Sequence, residues 1–275
     1  MSGKMDSNDA LASNPFFRRN SSGGRPLIKI CGITNVEDAR TSAELGADLL
    51  GLVFAESSRR VSVETAIAIR RARPDSQLVG VFEDQPLEQV ARVSLDCGLD
   101  FVQLHGREDV VFCVQLRKLT NLEIVKAFRA GDPGDLYQIQ DFAVRHVCAL
   151  LIDSCHKIGP ECGGVEKVAV TGCSAGFGAA VPVHWSIAAE AKKLGKPVFL
   201  AGGLTPDTVG SAVEEVGPFG VDVSSGVERA PGKKCEEKIA LFIKRTNGKR
   251  ADGGGACAGD ADCAEPGGKH MNPES

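Results

Sequence analysis

The sequence lacks two features that would assign it to a membrane or to nucleic acid. No apolar run approaches the ~20 residues that a membrane-spanning helix needs. The formal net charge is only -4 at pH 7, so neither nucleic acid nor an anionic membrane is expected as a partner. With 43% hydrophobic and 25% charged residues, the composition is typical of a soluble globular protein, which we expect to be cytoplasmic.

The ten cysteines lack the spacing of a disulfide framework or of a zinc site. They include no CxxC pair and no CxxC…HxxxH pattern, which indicates reduced thiols of the cytosolic kind. The nearest approach to a metal cluster also matches no zinc spacing, and we predict that no metal binds there. Its members are Cys155, His156, Cys162 and Cys173.

Both ends of the chain are poor in residues that a core could bury. Residues 1–25 are rich in Ser, Asn, Gly and Arg and contain no apolar segment of a secretory signal. Residues 247–275 are mostly Gly, Ala, Asp and Pro. We predict disordered extensions at both ends and a single folded domain over residues 26–246.

Apolar, β-branched runs alternate with amphipathic stretches along the predicted domain. A continuous apolar run is typical of a strand buried on both faces, and each run here precedes a segment with helical spacing. Repeated βα units predict a parallel sheet with helical crossovers. The predicted strands cover residues 27–30, 49–54, 77–82, 101–104, 122–127, 147–152, 197–200 and 219–223.

The number of units decides between two arrangements of such a sheet. Eight units in about 220 residues fit a (β/α)8 TIM barrel of the α/β class. A doubly wound open sheet is the alternative, but it is usually shorter and has a glycine-rich fingerprint after the first strand. Here Cys31-Gly32-Ile33-Thr34 occupies that position, and we predict the barrel.

Cys31 stands at the end of the first predicted strand, just before a helix that Asn35 can cap. A helix dipole favours the thiolate, so a cysteine in this position is expected to ionise. The alternative is that Cys31 is simply a small buried residue, since free cysteine is often buried.

Polar residues at the other strand ends are further candidates, because the active site of a barrel lies where the strand ends converge. A thiolate can remove a proton from carbon, and a carboxyl group that burial keeps protonated can donate one, which makes Cys31 and Asp153 a candidate base and acid. The candidates, in chain order, are Cys31, Arg59, His105, Asp153, Gly202, Gly203, Asp222, Ser225 and Gly226.

Two small-residue pairs follow the seventh and eighth predicted strands, where barrels often bind phosphate with backbone N–H groups. They are Gly202-Gly203 and Ser225-Gly226. Glycine allows the backbone to approach an anion closely. We predict a phosphate site there, and the alternative is that these glycines only form tight turns.

The chain resembles the phosphoribosylanthranilate isomerase family over residues 26–244. The motifs that carry the resemblance are KICGIT (29–34), GADLLGLVF (46–54), SSRRVS (57–62), VGVF (79–82), VQLHG (102–106), LLID (150–153), LAGGLTPDTV (200–209) and VDVSSGVE (221–228). The resemblance implies a TIM barrel and an Amadori rearrangement of N-(5-phosphoribosyl)anthranilate to 1-(2-carboxyphenylamino)-1-deoxyribulose 5-phosphate, a step of tryptophan biosynthesis.

The resemblance also implies roles for individual residues. Cys31 corresponds to the general base that takes the proton from C2 of the ribose, and Asp153 to the general acid that protonates the ring oxygen. Arg59 corresponds to the arginine that faces the anthranilate, and we expect His105 and Asp222 to contact substrate as well. No cofactor is implied, because opening of the ribose ring converts the substrate to an iminium ion, which itself accepts the electrons of the broken C–H bond. A monomer and a homodimer are both compatible with the sequence.

The sequence departs from the family in two places. After the sixth strand, Gly163 and Gly164 are present, but residues 165–176 intervene before Phe177-Gly178. The sequence Val183-His184-Trp185 stands at the position of the family's FDW-like triplet. The segment 165–176 is either a tolerated surface loop or a disturbance of the active site. After the last strand, Lys234-Cys235 replaces the family's Lys-Asp, which we expect to remove a helix N-cap interaction but not the chemistry.

Two other functions remain open at this stage. One is a catalytically impaired barrel that still binds a phosphosugar; the presence of both Cys31 and Asp153 weighs against it. The other is another phosphosugar isomerase or epimerase, such as a pentose-phosphate epimerase. That class uses metal-binding His and Asp at its strand ends, whereas His105 is the only histidine at a predicted strand end here.

Overall fold

The computed structural model describes residues 25–143, 146–154 and 182–248. Most of the two predicted extensions lies outside these ranges, as do the four residues considered as a metal cluster and residues 163–178 of the loop after the sixth strand. None of the helices in the described ranges is long and apolar enough to cross a membrane.

Eight parallel strands close into a barrel, which confirms the predicted (β/α)8 fold and excludes the open sheet. Each strand pairs with the next in the chain, and the eighth pairs with the first, so that Lys29 lies opposite Leu49 on one side and Asp222 on the other. The strands are β1 Leu27–Cys31, β2 Leu49–Val53, β3 Gln77–Phe82, β4 Phe101–Leu104, β5 Glu123–Ala130, β6 Ala149–Ser154, β7 Val198–Leu200 and β8 Gly220–Val223.

Helices alternate with the strands in the order that the sequence predicts. They are α1 Val36–Glu44, α2 Val63–Ala72, α3 Leu87–Asp96, α4 Val110–Thr120, α5 Asp135–Ala143, α6 Val183–Ala191, α7 Pro206–Val216 and α8 Glu236–Thr246. Turns of 3₁₀ helix lie at Lys192–Leu194 and Ser225–Val227.

Two helix N-termini near the first strand behave as the sequence predicts. Asn35 caps α1, because its side chain accepts a hydrogen bond from the backbone N–H of Asp38 at 2.8 Å. Cys235 is the N-cap of α8, but its side chain accepts no hydrogen bond from a backbone N–H of the first turn, and its thiol instead donates to the Glu237 carboxylate at 3.0 Å. The expected loss of a capping interaction at Cys235 is therefore confirmed.

The alternation of side chains along each strand separates two apolar layers. Ile28 and Ile30 of β1 point outward and are fully buried between the barrel and its helices. Leu27, Lys29 and Cys31 point to the barrel interior, where Leu27 belongs to a second cluster of buried residues. That inner cluster also includes Leu49, Val79, Phe101, Val125, Leu151 and Phe199, and it fills the barrel below the polar residues.

The structure differs from the sequence prediction at two elements that flank the polar end of the barrel. The apolar pattern of the sequence predicts a helix over residues 186–194. Helix α6 begins three residues earlier, at Val183, because Pro182 supplies a suitable N-cap backbone and residues 183–185 form the first turn. A short hairpin, β9 Glu228–Ala230 and β10 Lys233–Lys234, follows β8 and was not predicted. The Pro231-Gly232 dipeptide between its strands was the available turn signal.

Candidate active site

A pocket of about 330 Å³ opens at the C-terminal ends of the barrel strands. Its wall brings together seven of the nine predicted site residues, although they come from five different strand ends and the loops that follow. Arg59 and Gly226 do not line it. The seven are Cys31, His105, Asp153, Gly202, Gly203, Asp222 and Ser225.

Cys31 is the last residue of β1, and its side chain points into the pocket with only 9% of the residue exposed. Burial raises the pKa of the Cys31 thiol, and the nearby Asp222 carboxylate acts in the same direction. The ammonium groups of Lys29 and Lys234 oppose this shift without cancelling it. The expectation that the helix dipole would leave Cys31 ionised was therefore wrong in direction, because desolvation outweighs the favourable charges.

Lys29 lies one layer below Cys31 on the same face of β1 and is 3% exposed. Its Nζ donates to Oδ1 of Asp222 at 3.0 Å and lies beside the Cys31 thiol in the space next to Gly51. The Asp222 and Cys31 groups raise the pKa of Lys29 although burial lowers it, so Lys29 remains an ammonium ion. Asp222 thus has two contacts of interest: it lines the pocket, and its carboxylate balances the buried charge of Lys29.

Asp153 reaches the same pocket from β6, across the barrel mouth from Cys31. Oδ2 of its carboxylate lies 3.3 Å from Nε2 of His105, whose Nδ1 lies 3.3 Å from Nε2 of Gln103. Its side chain is 27% exposed, so the expectation that Asp153 would be buried was wrong. The cause is its position at the rim, one residue before the end of β6.

Arg59 follows β2 and is held away from the pocket wall by a buried carboxylate. Its Nε and Nη2 donate to Oε1 and Oε2 of Glu228 at 2.8 and 2.7 Å. Gly32 permits this approach, because its φ is +75° and a Cβ there would lie 2.7 Å from Cδ of Arg59. A bidentate pair of this kind fixes the plane and direction of the guanidinium.

Lys234, on the hairpin β9–β10, connects the Arg59–Glu228 pair to the backbone of Cys31. Its Nζ donates to the backbone carbonyl of Cys31 at 2.6 Å, to the carbonyl of Ser224 at 3.1 Å and to Oε1 of Glu228 at 2.9 Å. The Lys234 side chain is 1% exposed and that of Glu228 is 5% exposed. The three contacts tie the ends of β1 and β8 to the carboxylate that holds Arg59.

The glycine-rich loops after β7 and β8 pack against backbone. A Cβ on Gly202 would lie 2.3 Å from the Ser154 nitrogen, and a Cβ on Gly226 would lie 2.0 Å from the Leu204 carbonyl oxygen. Gly226 therefore allows the loop after β8 to touch the loop after β7. Gly202 allows the loop after β7 to touch the end of β6. These close approaches give both glycines a packing role, whatever ligand the loops bind.

Sequence reasoning missed four buried polar residues that hold the site together. A signal existed for Lys29 and Gln103, because each interrupts an apolar strand, and a polar residue buried on a barrel strand requires a partner. For the other two the signal was weaker, because both lie in the hairpin that was not predicted. The four are Lys29, Gln103, Glu228 and Lys234.

The described residues contain no group of three or more His, Cys, Asp or Glu side chains that could hold a metal ion. A thiol and a carboxyl group instead face one pocket from β1 and β6, a pairing suited to moving protons on and off carbon and oxygen. The closed barrel and this pair define the class of protein: a TIM-barrel enzyme with a thiol and a carboxyl group in one pocket at its strand ends.

Comparison with known proteins identifies the family. The family model for N-(5′-phosphoribosyl)anthranilate (PRA) isomerase matches residues 28–245. A relative from Geobacter metallireducens, named N-(5′-phosphoribosyl)anthranilate isomerase, is 42% identical over 220 residues, which are 79% of this chain and 97% of the relative. The chain therefore belongs to the N-(5′-phosphoribosyl)anthranilate isomerase family, and it is an isomerase.

Solved structures of the family have the same fold. The phosphoribosylanthranilate isomerase of Thermotoga maritima superposes with a TM-score of 0.68 at 36% identity, covering 81% of this chain and 99% of that one. A second structure, of a phosphoribosylanthranilate isomerase in complex with reduced 1-(o-carboxyphenylamino)-1-deoxyribulose 5-phosphate, gives 0.66 at 34% identity, with 81% and 99% covered.

Proposed function

We propose that the pocket converts N-(5′-phosphoribosyl)anthranilate to 1-(2-carboxyphenylamino)-1-deoxyribulose 5-phosphate, with Cys31 as general base and Asp153 as general acid. The observation that carries this proposal is the placement of these two side chains in one pocket at the C-terminal mouth of the barrel. Family membership supplies the reaction, which is the isomerase step of tryptophan biosynthesis. A barrel that binds a phosphosugar without turning it over would have no use for this pair.

The proposed reaction begins with the ring oxygen of the furanose. Asp153 gives it a proton, the bond from this oxygen to C1 breaks, and the anthranilate nitrogen lone pair forms a C1 iminium cation. The Cys31 thiolate then takes the proton from C2, and the electrons of that C–H bond move to neutralise the iminium. The resulting enolamine tautomerises to the C2 ketone, with a new hydrogen on C1. The sequence consumes no redox equivalent, so the substrate and the two side chains suffice.

His105 has a supporting role in this proposal. Its Nε2 lies 3.3 Å from the Asp153 carboxylate, and Gln103 contacts the other ring nitrogen. The imidazole therefore lies against the Asp153 carboxylate and limits the space in which that side chain can rotate. We also propose that Asp222 contacts substrate, since it lines the pocket while it holds Lys29.

Arg59 is proposed to face the anthranilate carboxylate. Its present partner, Glu228, leaves the Arg59 side chain 24% exposed, so one edge of the guanidinium is accessible to a ligand. We further propose that the enzyme acts in the cytoplasm, as a monomer or a homodimer, and needs no cofactor.

The loops after β7 and β8 are proposed to bind the phosphate through Gly202, Gly203, Ser225 and Gly226. Inorganic phosphate should therefore compete with the substrate, raising the apparent KM without changing kcat. Steady-state kinetics at several phosphate concentrations will test this, with sodium chloride at matched ionic strength as control. Absence of competition at tens of millimolar phosphate (~10–100 mM against an expected millimolar site) would show that these loops serve only as turns.

The proposed function is tested by incubating the purified chain with N-(5′-phosphoribosyl)anthranilate and separating the products by chromatography. We expect the ribulose phosphate isomer to appear in proportion to enzyme concentration. Consumption of the substrate at the rate seen in buffer alone would contradict the proposed function.

A further inference from the structure

Lys29 is a buried charged group beside the proposed base, and the mechanism above does not use it. It lies in the middle of β1, in the sequence LIKIC, with 3% of the residue exposed. Burying a lysine on a barrel strand is costly unless the charge is paired, and an apolar residue would fill the same layer. The position therefore indicates a requirement for the charge itself.

The contacts of Lys29 aim its ammonium at Cys31. Asp222, which is level with Lys29 on the neighbouring strand β8, accepts a hydrogen bond from Nζ at 3.0 Å. Gly51 is level with Cys31 on β2, and a Cβ there would lie 2.8 Å from Sγ of Cys31 and 3.1 Å from Nζ of Lys29. The absence of a side chain at Gly51 leaves the space in which the thiol and the ammonium meet.

We propose that Lys29 is the positioning residue of the base, with Asp222 fixing its ammonium against the Cys31 sulfur so that the thiolate is stabilised and aimed into the pocket. This inference rests on the proposed role of Cys31 as base. During turnover Lys29 keeps its proton: the thiolate becomes a thiol when it takes the C2 hydrogen, and the charge lost on sulfur matches the charge lost on the iminium.

Other charged groups also face Cys31, and they define the alternatives. Lys234 lowers the pKa of the thiol from the β10 side, Asp222 raises it from β8, and Arg59 interacts with it from the loop after β2. Of the two ammonium groups, Lys29 has the stronger influence on the pKa of the thiol and shares with it the space beside Gly51, whereas Lys234 bonds the backbone carbonyl of Cys31. Lys29 is therefore the group that acts on the sulfur directly.

The test is a titration of the Cys31 thiolate by its ultraviolet absorbance, taken as the difference between each protein and the same protein carrying Cys31→Ser. Lys29→Gln should move the titration to higher pH by at least about one unit and lower kcat/KM at neutral pH at least about tenfold, since each unit changes the thiolate fraction about tenfold. Lys29→Arg keeps the charge and should titrate closer to the parent protein. Lys29→Met, which also removes the charge and keeps an unbranched side chain, should shift the titration in the same direction as Lys29→Gln.

Lys126→Gln is a matched control, because Lys126 is also a buried strand lysine, paired with Glu108 at 2.9 Å, but it does not line the pocket. It should leave the Cys31 titration unchanged. An unshifted titration in Lys29→Gln would overturn the inference, as would an unshifted titration in Lys29→Met if Lys29→Gln does not fold. Because the titration does not depend on turnover, these results stand apart from the outcome for the proposed function.

Discussion

Replacing Cys31 by serine will lower kcat by about 10²–10⁴-fold, and replacing Asp153 by asparagine will lower it by about the same factor. A serine hydroxyl is nearly isosteric with the thiol but remains protonated at neutral pH, so it cannot accept the C2 proton. Asparagine keeps the shape of Asp153 and its contact with His105, but it has no proton to give to the ring oxygen. Both changes act on the transition state, so kcat should fall with little change in KM.

Two controls accompany these variants. Inhibition by inorganic phosphate should be preserved in Cys31→Ser, because the phosphate loops do not depend on the thiol. Cys113→Ser alters another buried cysteine, on α4, which does not line the pocket, and it should turn over like the parent protein. Near-parent kcat in both Cys31→Ser and Asp153→Asn would show that the acid and the base are other residues.

Glu228→Gln should destabilise the folded protein by about 3–5 kcal/mol, the cost of breaking a buried ion pair from one side. The substitution keeps the size of the side chain, but it leaves the ammonium of Lys234, which is 1% exposed, without a counter-charge. It also removes the bidentate partner of Arg59. The free energy of unfolding, measured in urea, will show the loss.

The pH dependence of stability distinguishes a charge effect from a packing effect at Glu228. Burial raises the pKa of Glu228, but the hydrogen bonds from Arg59 and Lys234 outweigh it and hold the pKa below its usual value of 4.5. A carboxylate with a lowered native pKa stabilises the fold above its unfolded pKa, and this contribution is lost as pH falls through the native value. Glu228→Gln should therefore weaken the dependence of stability on pH below about 4.5.

The exposed pair of Arg60 and Glu56 provides the comparison, with side chains that are 51% and 88% exposed. Glu56→Gln should change the free energy of unfolding by no more than about 1 kcal/mol. Equal effects of Glu56→Gln and Glu228→Gln would contradict the importance assigned to the buried network.

The barrel was predictable because each strand carries its own signal. Residues 77–82 and 101–104 are strands in the structure as predicted, since continuous apolar runs between turn residues specify buried strands locally. The prediction that the sheet closes into a barrel followed from the count of eight βα units. The start of α6 was missed because it depends on Pro182, which ends a segment without periodic pattern.

The polar network was not predictable, because it depends on which strands are neighbours and on side chains far apart in sequence. Lys29 and Asp222 are separated by 193 positions, and Arg59 and Glu228 by 169. The strand pattern placed Cys31, Asp153 and Arg59 at strand ends and the resemblance implied their roles, but neither gave their ionisation or their partners. The direction of the Cys31 pKa shift depends on burial, which a strand-and-helix pattern does not reveal.

Growth of a tryptophan-requiring strain that lacks phosphoribosylanthranilate isomerase tests the central claim most directly. The full chain should restore growth without tryptophan, and the double variant Cys31→Ser, Asp153→Asn, expressed at the same level, should not. Failure of the full chain to restore growth, although it is folded and abundant, would contradict the proposed function, and rescue by the double variant would contradict the proposed site.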